Sequence, residues 1–405
     1  MTSRFIVSAL GCSLPGTMGG NTKIAIEMAR CLARDREVHV IVPDDRLVTF
    51  TANLPADNAI RFDVIAGYAR GDKYHPVASC VWFRPRVAEA LKRIGAGPND
   101  VVFLCSDFHA DVVPFCTLQP VFGYRLIPSV FLFIPSVFEN IRNGYRFPCL
   151  KYIVYSVYQG MLFALAKRRA TAFVVTNESD FARFPSRFTG RLFAYYGGVN
   201  VDQLPAIGAL KPPSERTYDA IFCSRLHPQK GIDAFLDVWS LVLRRIPCAR
   251  LAVIGNGEAA YEHRLREKAR RLGLEKSVSW LGYVNNEAKY RLYADSRIHV
   301  HPTVFDNNGM VAAEALSTGL PVVMQDLPAL RKIYATGCVK VPFGDRPAFA
   351  KALVTLLTDP AAYAAVAPTP EQVGVIRAHW AWESRAAAFG RWLDGLSPVP
   401  KGGRN

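Results

Sequence analysis

Two short stretches hold most of the chemistry available to this chain. One reads His301-Pro302-Thr303-Val304-Phe305-Asp306-Asn307-Asn308-Gly309 and continues through Met310, Val311 and Glu314 to Gly319 and the apolar Pro321-Val322-Val323. A strand pattern ends at His301. Asp306 and Asn307 fall in a loop, where such residues cap helices, and Gly309 allows a ligand close to the backbone. The N–H groups of the helical turn that follows make an anion seat. Glu314, a turn and a half further on, can accept hydrogen bonds from vicinal hydroxyls, and a lone carboxylate among Val311, Ala312, Ala313, Ala315 and Leu316 needs a partner. The plainer alternative makes Asp306 a helix cap and Glu314 a solvated helix residue. The second stretch is Ser224-Arg225-Leu226-His227-Pro228-Gln229-Lys230-Gly231, directly after the strand pattern 220–223. A guanidinium fork and an ammonium point charge on a strand-to-helix turn suit a diphosphate whose charge grows as it leaves. Here the alternative is two surface cations on a loop.

These residues need a scaffold, and the hydropathy pattern supplies one. An apolar strand over 5–10 leads into the glycine-bearing turn Pro15-Gly16-Thr17-Met18-Gly19-Gly20, then a helical stripe of Ile24, Ala25, Met28, Ala29 and Leu32, then a strand over 38–42. Further strands are expected at 101–105, 130–134 and 172–176. A second unit repeats the order, with strands at 220–223, 251–254, 278–281, 298–301, 321–324 and 339–341. Its helices are expected near 231–245, 258–273, 286–294, 309–318 and 346–358. Strands alternating with helices imply parallel βαβ units. The proline-bearing stretch 203–217 divides the chain into an acceptor-side domain, 1–203, and a second domain, 204–376. A final helix over about 378–396, carrying Trp380, Trp382, Phe389 and Trp392, is expected to return to the first domain within the segment 377–405. The fold class is therefore α/β, two Rossmann-like domains whose strand ends face a central cleft, where open sheets bind ligands.

Composition narrows the function class. The chain has 405 residues, 50% of them hydrophobic and 20% charged, which excludes a disordered or coiled-coil protein. A net charge of +15 favours an anionic partner. The longest like-charge block is Lys167-Arg168-Arg169, and no nucleic-acid motif accompanies it. Nine scattered cysteines without a Cys-x-x-Cys argue against a zinc ribbon and fit a reducing compartment. The apolar run before Cys12 is too short for a signal peptide, and no run reaches the ~18 residues of a membrane span. The nearest is 152–166. Within 147–167, Tyr152, Tyr155, Tyr158, Phe163 and Leu165 precede basic residues, as in interface-seeking helices; a core helix is the alternative. Gly255-Asn256-Gly257-Glu258-Ala259-Ala260 satisfies a dinucleotide fingerprint, but it follows the second strand of its unit and no acid ends the next one. It reads as a tight turn.

In this order the motifs resemble the large retaining family of GT-B glycosyltransferases grouped as family 4, or group 1. Gly19-Gly20 matches the family's loop after the first strand. Gly198-Val199-Asn200 matches its Gly-Val-Asp/Asn, Arg225-Leu226 with Lys230-Gly231 its Arg-Leu…Lys-Gly, and Asp306 with Glu314-Ala315 its acid, seven residues, then Glu-Ala. Trp382-Glu383 matches its closing Trp-Glu. The resemblance implies that Arg225 and Lys230, with the backbone of Gly309, Met310 and Val311, hold the diphosphate of a nucleotide-sugar donor. By the same resemblance Glu314 binds the ribose, Asp306 contacts the transferring sugar, the base lies near Tyr283-Val284, and Gly19 and Gly20 close over the phosphates. Asn200 and His109 become acceptor-side candidates. The resemblance further implies retained anomeric configuration and no cofactor or metal, the two cations serving instead.

This sequence departs from the family in having Asp306 where Glu is usual. It also lacks a histidine after the strand pattern 130–134, which runs into Pro135-Ser136; His109 is the nearest substitute. The expected function is a glycosyltransferase acting on a glycan or lipid-linked acceptor in cell-surface polysaccharide or glycolipid synthesis. It would be cytoplasmic and peripheral on an anionic inner membrane face, with no nucleic-acid partner. The rivals are a degenerate nucleotide-sugar-binding scaffold and a nucleotide-sugar epimerase; no acid/base pair for the latter is visible in the first domain.

Overall fold

The computed structural model describes residues 3–13, 18–68, 76–134 and 149–396. The chain divides into two compact units, Met1–Gly197 together with Trp382–Asn405, and Gly198–Ala381. The expected boundaries, after 203 and after 376, thus each shift by about half a dozen residues, in opposite directions. The reason is a backbone bridge: Val199 pairs in parallel with Ala381, and its N–H donates to Trp380 O at 2.7 Å, tying both crossings into the second unit.

In the first unit the elements run β1 (Phe5–Ser8), α1 (Gly20–Leu32), β2 (Val38–Pro43), α2 (Asp44–Thr51), β3 (Arg61–Ile65), α3 (Pro76–Ile94), β4 (Val101–Leu104), α4 (His109–Phe122), β5 (Arg125–Val130), α5 (Cys149–Arg169), β6 (Phe173–Val175) and β7 (Leu192–Ala194). All pair in parallel, in the order β3-β2-β1-β4-β5-β6-β7. Strands β1 and β4 are buried at every position because helices cover both faces, so they read as continuous apolar runs. The strand expected at 130–134 lies earlier, at Arg125–Val130. Its Pro128, which cannot donate to a ladder, sits where β5 hands over from β4 (Leu104↔Pro128) to β6 (Ser129↔Val174). Pro15, Gly16 and Thr17 of the first turn, and Pro135 and Ser136, lie outside the described residues.

The second unit continues with β8 (Tyr218–Cys223), α6 (Ile232–Leu243), β9 (Leu251–Ile254), α7 (Ala259–Arg271), β10 (Val278–Gly282), α8 (Asn286–Ala294), β11 (Ser296–His301), α9 (Met310–Thr318), β12 (Val322–Gln325), α10 (Pro328–Arg331), β13 (Cys338–Val341), α11 (Arg346–Thr358), α12 (Pro360–Val366) and α13 (Pro370–Trp380). Its parallel sheet has the order β10-β9-β8-β11-β12-β13. Strand order reverses between β1 and β4 and again between β8 and β11, the switch points outside whose carboxyl ends such sheets bind ligands. Phe222, Phe235, Trp239, Leu251, Phe349 and Leu353 form the core beneath.

The expected single C-terminal helix is two, broken at Ala381. α13 stays with the second unit, where Trp380 stacks on Tyr334 with ring centroids 5.7 Å apart. α14 (Trp382–Gly395) packs on α1 in the first unit, and Phe389 enters a cluster of Phe5, Phe103, Phe193 and Tyr195. Among the described residues no single helix is long and apolar enough to cross a membrane. A bent pair, α11 with the segment 360–380, passes by composition, but Phe349, Leu353 and Tyr363 place it in the core.

Candidate functional site

The register of β11 on β8 (Ile298↔Ala220, His299↔Ile221) makes the loops leaving their carboxyl ends neighbours. Main chain stitches these loops together. Val304 N–H donates to Gln229 O at 2.9 Å, and Gln229 Nε2 donates to Phe305 O at 2.7 Å. Gly231, at φ 71°, approaches so closely that a Cβ would stand 2.0 Å from Pro302 O. No other residue type fits there.

That approach lets Lys230 reach across to Asp306, Nζ to Oδ2 2.7 Å, with the side chains 19% and 14% exposed. The other oxygen of Asp306 accepts from the N–H groups of Asn307, Asn308 and Gly309 at 2.9, 3.2 and 3.1 Å. Burial opposes ionisation of Asp306, but Lys230, His301 and the amide donors prevail and hold its carboxyl well below the usual carboxylate range. His301 Nε2 lies 3.6 Å from Asp306 Oδ2. Burial, against the pull of Asp306, drives the His301 pKa down to about 4, so the ring is neutral at physiological pH. Tyr334 Oη donates to Asn308 O and Gly309 O, both at 2.8 Å, and clamps the loop from behind.

Gly309, at φ 63°, then starts α9. Its N–H is taken by Asp306, which leaves Met310 and Val311 in the first turn, where amides have no intrahelical acceptor. Asp306 therefore holds the loop amides with one oxygen and Lys230 with the other. Arg225 is exposed immediately after β8, and among the described residues it has no ion-pair partner. Leu226, beside it, bridges to Gly257, and a Cβ on Gly255 would meet Ser224 O at 1.8 Å. The glycines of 255–260 thus serve close backbone packing.

Glu314 points from α9 toward α8, where Lys289 Nζ meets its Oε1 at 2.7 Å. Tyr283 (71% exposed) and the half-buried Val284 follow β10, two strands from β8. Arg225, Lys230, the start of α9, Glu314, Tyr283 and Val284 all belong to the carboxyl ends of one sheet. Gly19, Gly20 and His109 belong to the first unit. Gly19 precedes α1 and its N–H donates to Ser13 Oγ at 2.9 Å; Gly20 opens the helix. His109 opens α4 after β4, with its ring 6.0 Å from Tyr158. Asn200, an acceptor-side candidate, falls in the second unit, where the neighbouring Val199 pairs with Ala381. Among the described residues no cluster of three His, Cys, Asp or Glu side chains could hold a metal ion.

Sequence reasoning missed Lys289, and missed His301 and Tyr334 as supports of the loop. It also missed Asp111, which is fully buried and accepts from Ser8 Oγ, Ser106 Oγ and the amides of Leu10 and Gly11. Lys289 had a visible signal: it lies one helical turn before Tyr293, on a face that Tyr293 buries.

Two parallel sheets with switch-point loops of this kind define the GT-B class of fold. A sucrose-phosphate synthase from Thermosynechococcus elongatus superposes with a TM-score of 0.72 over 97% of this chain and 99% of its own, at 19% identity. The Anabaena protein HepE in complex with UDP and glucose gives 0.71 over 98% and 100%, at 15% identity. Residues 217–359, within the second unit, match the family described as glycosyl transferases group 1. A phosphatidyl-myo-inositol mannosyltransferase from Mycobacterium leprae is 33% identical over 164 residues, 40% of this chain and 42% of its own. The chain thus matches less than half the length of this curated relative.

Proposed function

We propose that the protein transfers a sugar from a nucleotide-diphosphate donor to a glycan or lipid-linked acceptor, with retention at the anomeric carbon and with Arg225 and Lys230 in place of a metal. The observation that carries this reading is Lys230, pinned by Asp306 beside the start of α9. Negative charge gathers on the diphosphate as the glycosidic bond breaks, and preoriented cations and amides stabilise that charge without reorganising. Asp306 enters as a positioning residue for Lys230 and the loop, and Glu314 as an acceptor for ribose hydroxyls. The relative with a mannosyltransferase name and the neighbour bound to UDP and glucose support a nucleotide-sugar donor. A thermal-shift panel of UDP, GDP, ADP and CDP, followed by transfer assays with the sugar of the best-binding base, tests the proposal. Stabilisation by one nucleotide with turnover supports it; binding without turnover across acceptors leaves the scaffold reading; no binding ends both.

One observation favours an acceptor at an anionic membrane. α5 buries Leu162 and Ala166 but exposes Ile153, Val154, Val157 (60%) and Met161 (66%) along one side, and ends in Lys167-Arg168-Arg169. An apolar stripe closed by cations suits insertion beneath anionic headgroups. Side chains of 147–152 lie outside the described residues. Wild type should pellet with phosphatidylserine vesicles at low salt and Val157→Asp should not; a wild type that stays in the supernatant argues for a soluble acceptor.

A further inference from the structure

Glu314 is held in an unequal way. Its Oε1 meets Lys289 Nζ at 2.7 Å, with side chains 14% and 13% exposed. Its Oε2 is buried and, among the described residues, has no hydrogen-bond partner. A buried carboxylate oxygen with open lone pairs is costly unless something donates to it. Lys289 comes from α8 and lies over the Tyr290 ring, 4.9 Å from its centroid. Tyr293, one turn further along α8, donates to Val311 O at 3.4 Å, which ties the helix that carries Lys289 to the first turn of α9. Burial works against the Lys289 ammonium, but Glu314 outweighs it and the lysine stays charged.

We infer that Lys289 is a positioning residue: it occupies one oxygen of Glu314 and leaves the other as the single acceptor that a ribose hydroxyl takes up once donor binding displaces the side chains packed over it. This rests on the nucleotide-sugar reading of the site. The pair does a second thing. An unpaired Glu314 carboxylate would repel a donor that already carries a diphosphate, and Lys289 cancels that charge where the nucleotide must lie. The contact to ribose is the same before and during sugar transfer, so it belongs to binding and not to the chemical step.

The test uses the nucleoside diphosphate that best stabilises the full-length protein, its 2′,3′-dideoxy analogue, and the variants Lys289→Met, Lys289→Arg and Glu314→Gln. Wild type should bind the ribose form tighter than the dideoxy form by roughly tenfold, the scale of one hydrogen bond to a charged acceptor. Lys289→Met should lose most of that preference and raise the donor KM while kcat stays within about threefold. Lys289→Met combined with Glu314→Gln should bind no worse than Glu314→Gln alone, since the lysine acts through the carboxylate. If no nucleotide stabilises wild type, the nucleotide-sugar reading has failed. If wild type binds and Lys289→Met keeps both affinity and the ribose preference, the positioning role is overturned. Should Lys289→Met not fold, Lys289→Arg decides. Its longer planar head keeps the charge but moves the carboxylate, so a shrunken preference supports the role and an intact one removes it.

Discussion

Replacing Lys230 with alanine removes a cation fixed at the start of α9. Lys230 Nζ stands 2.7 Å from Asp306 Oδ2, and Asp306 in turn accepts from three loop amides. The substitution leaves those amide bonds in place, so Asp306 keeps compensation for its charge and the loop keeps its shape. The stability cost should then fall below the 3–5 kcal/mol typical of stranding a buried charge, at about 1–2 kcal/mol. The loss in transfer should be larger. Removing one preorganised contact to developing negative charge costs about 3–4 kcal/mol in comparable sites, a hundredfold or more in rate. Steady-state kinetics at saturating donor and thermal unfolding of the same preparations separate the two effects. A Lys230→Ala protein with near-normal kcat/KM would refute the assignment of this lysine to the diphosphate. One that has lost activity only in proportion to its unfolded fraction would do the same.

Gly231→Ala should be severely destabilising, since its Cβ would stand 2.0 Å from Pro302 O at φ 71°, whereas Gly273→Ala, at φ 69° with no atom within 4 Å, should cost only about 1 kcal/mol. Equal shifts in melting temperature would show that the two loops are not in contact as described. Burial pushes the Asp107 carboxyl up to about 6, against the bond from Gln159 that favours its charged form. The folded protein therefore holds this proton more tightly than the unfolded chain, and the stability it contributes is complete below about pH 4 and is lost as pH rises through 6. Relative to wild type, Asp107→Asn should gain stability at pH 7.5 and gain little at pH 4; the same difference at both would contradict the burial argument. Glu314→Ala should lower transfer by roughly tenfold at subsaturating donor, the scale of the one ribose contact, measured as kcat/KM.

Much of the second unit was legible in the chain because its signals are local. The strand at 251–254 and the helices at 286–294 and 346–358 match their expected spans, since apolar runs and 3.6-residue stripes are written within one turn or one strand. Gly231, Gly309 and Lys230 were readable for the same reason: turn chemistry and charge stand side by side in sequence. Tertiary packing decided the rest. It placed β5 around Pro128 by distributing its pairing between two neighbours, and it broke the last helix at Ala381 by pairing that residue with Val199. It also set Lys230 against Asp306 from 76 residues away, and supplied Glu314 with Lys289 from 25 residues away. Hydropathy fixes which face of a helix turns inward, but not which side chain of another helix it meets; that depends on how α8 and α9 lie on the sheet, and only the folded chain sets it.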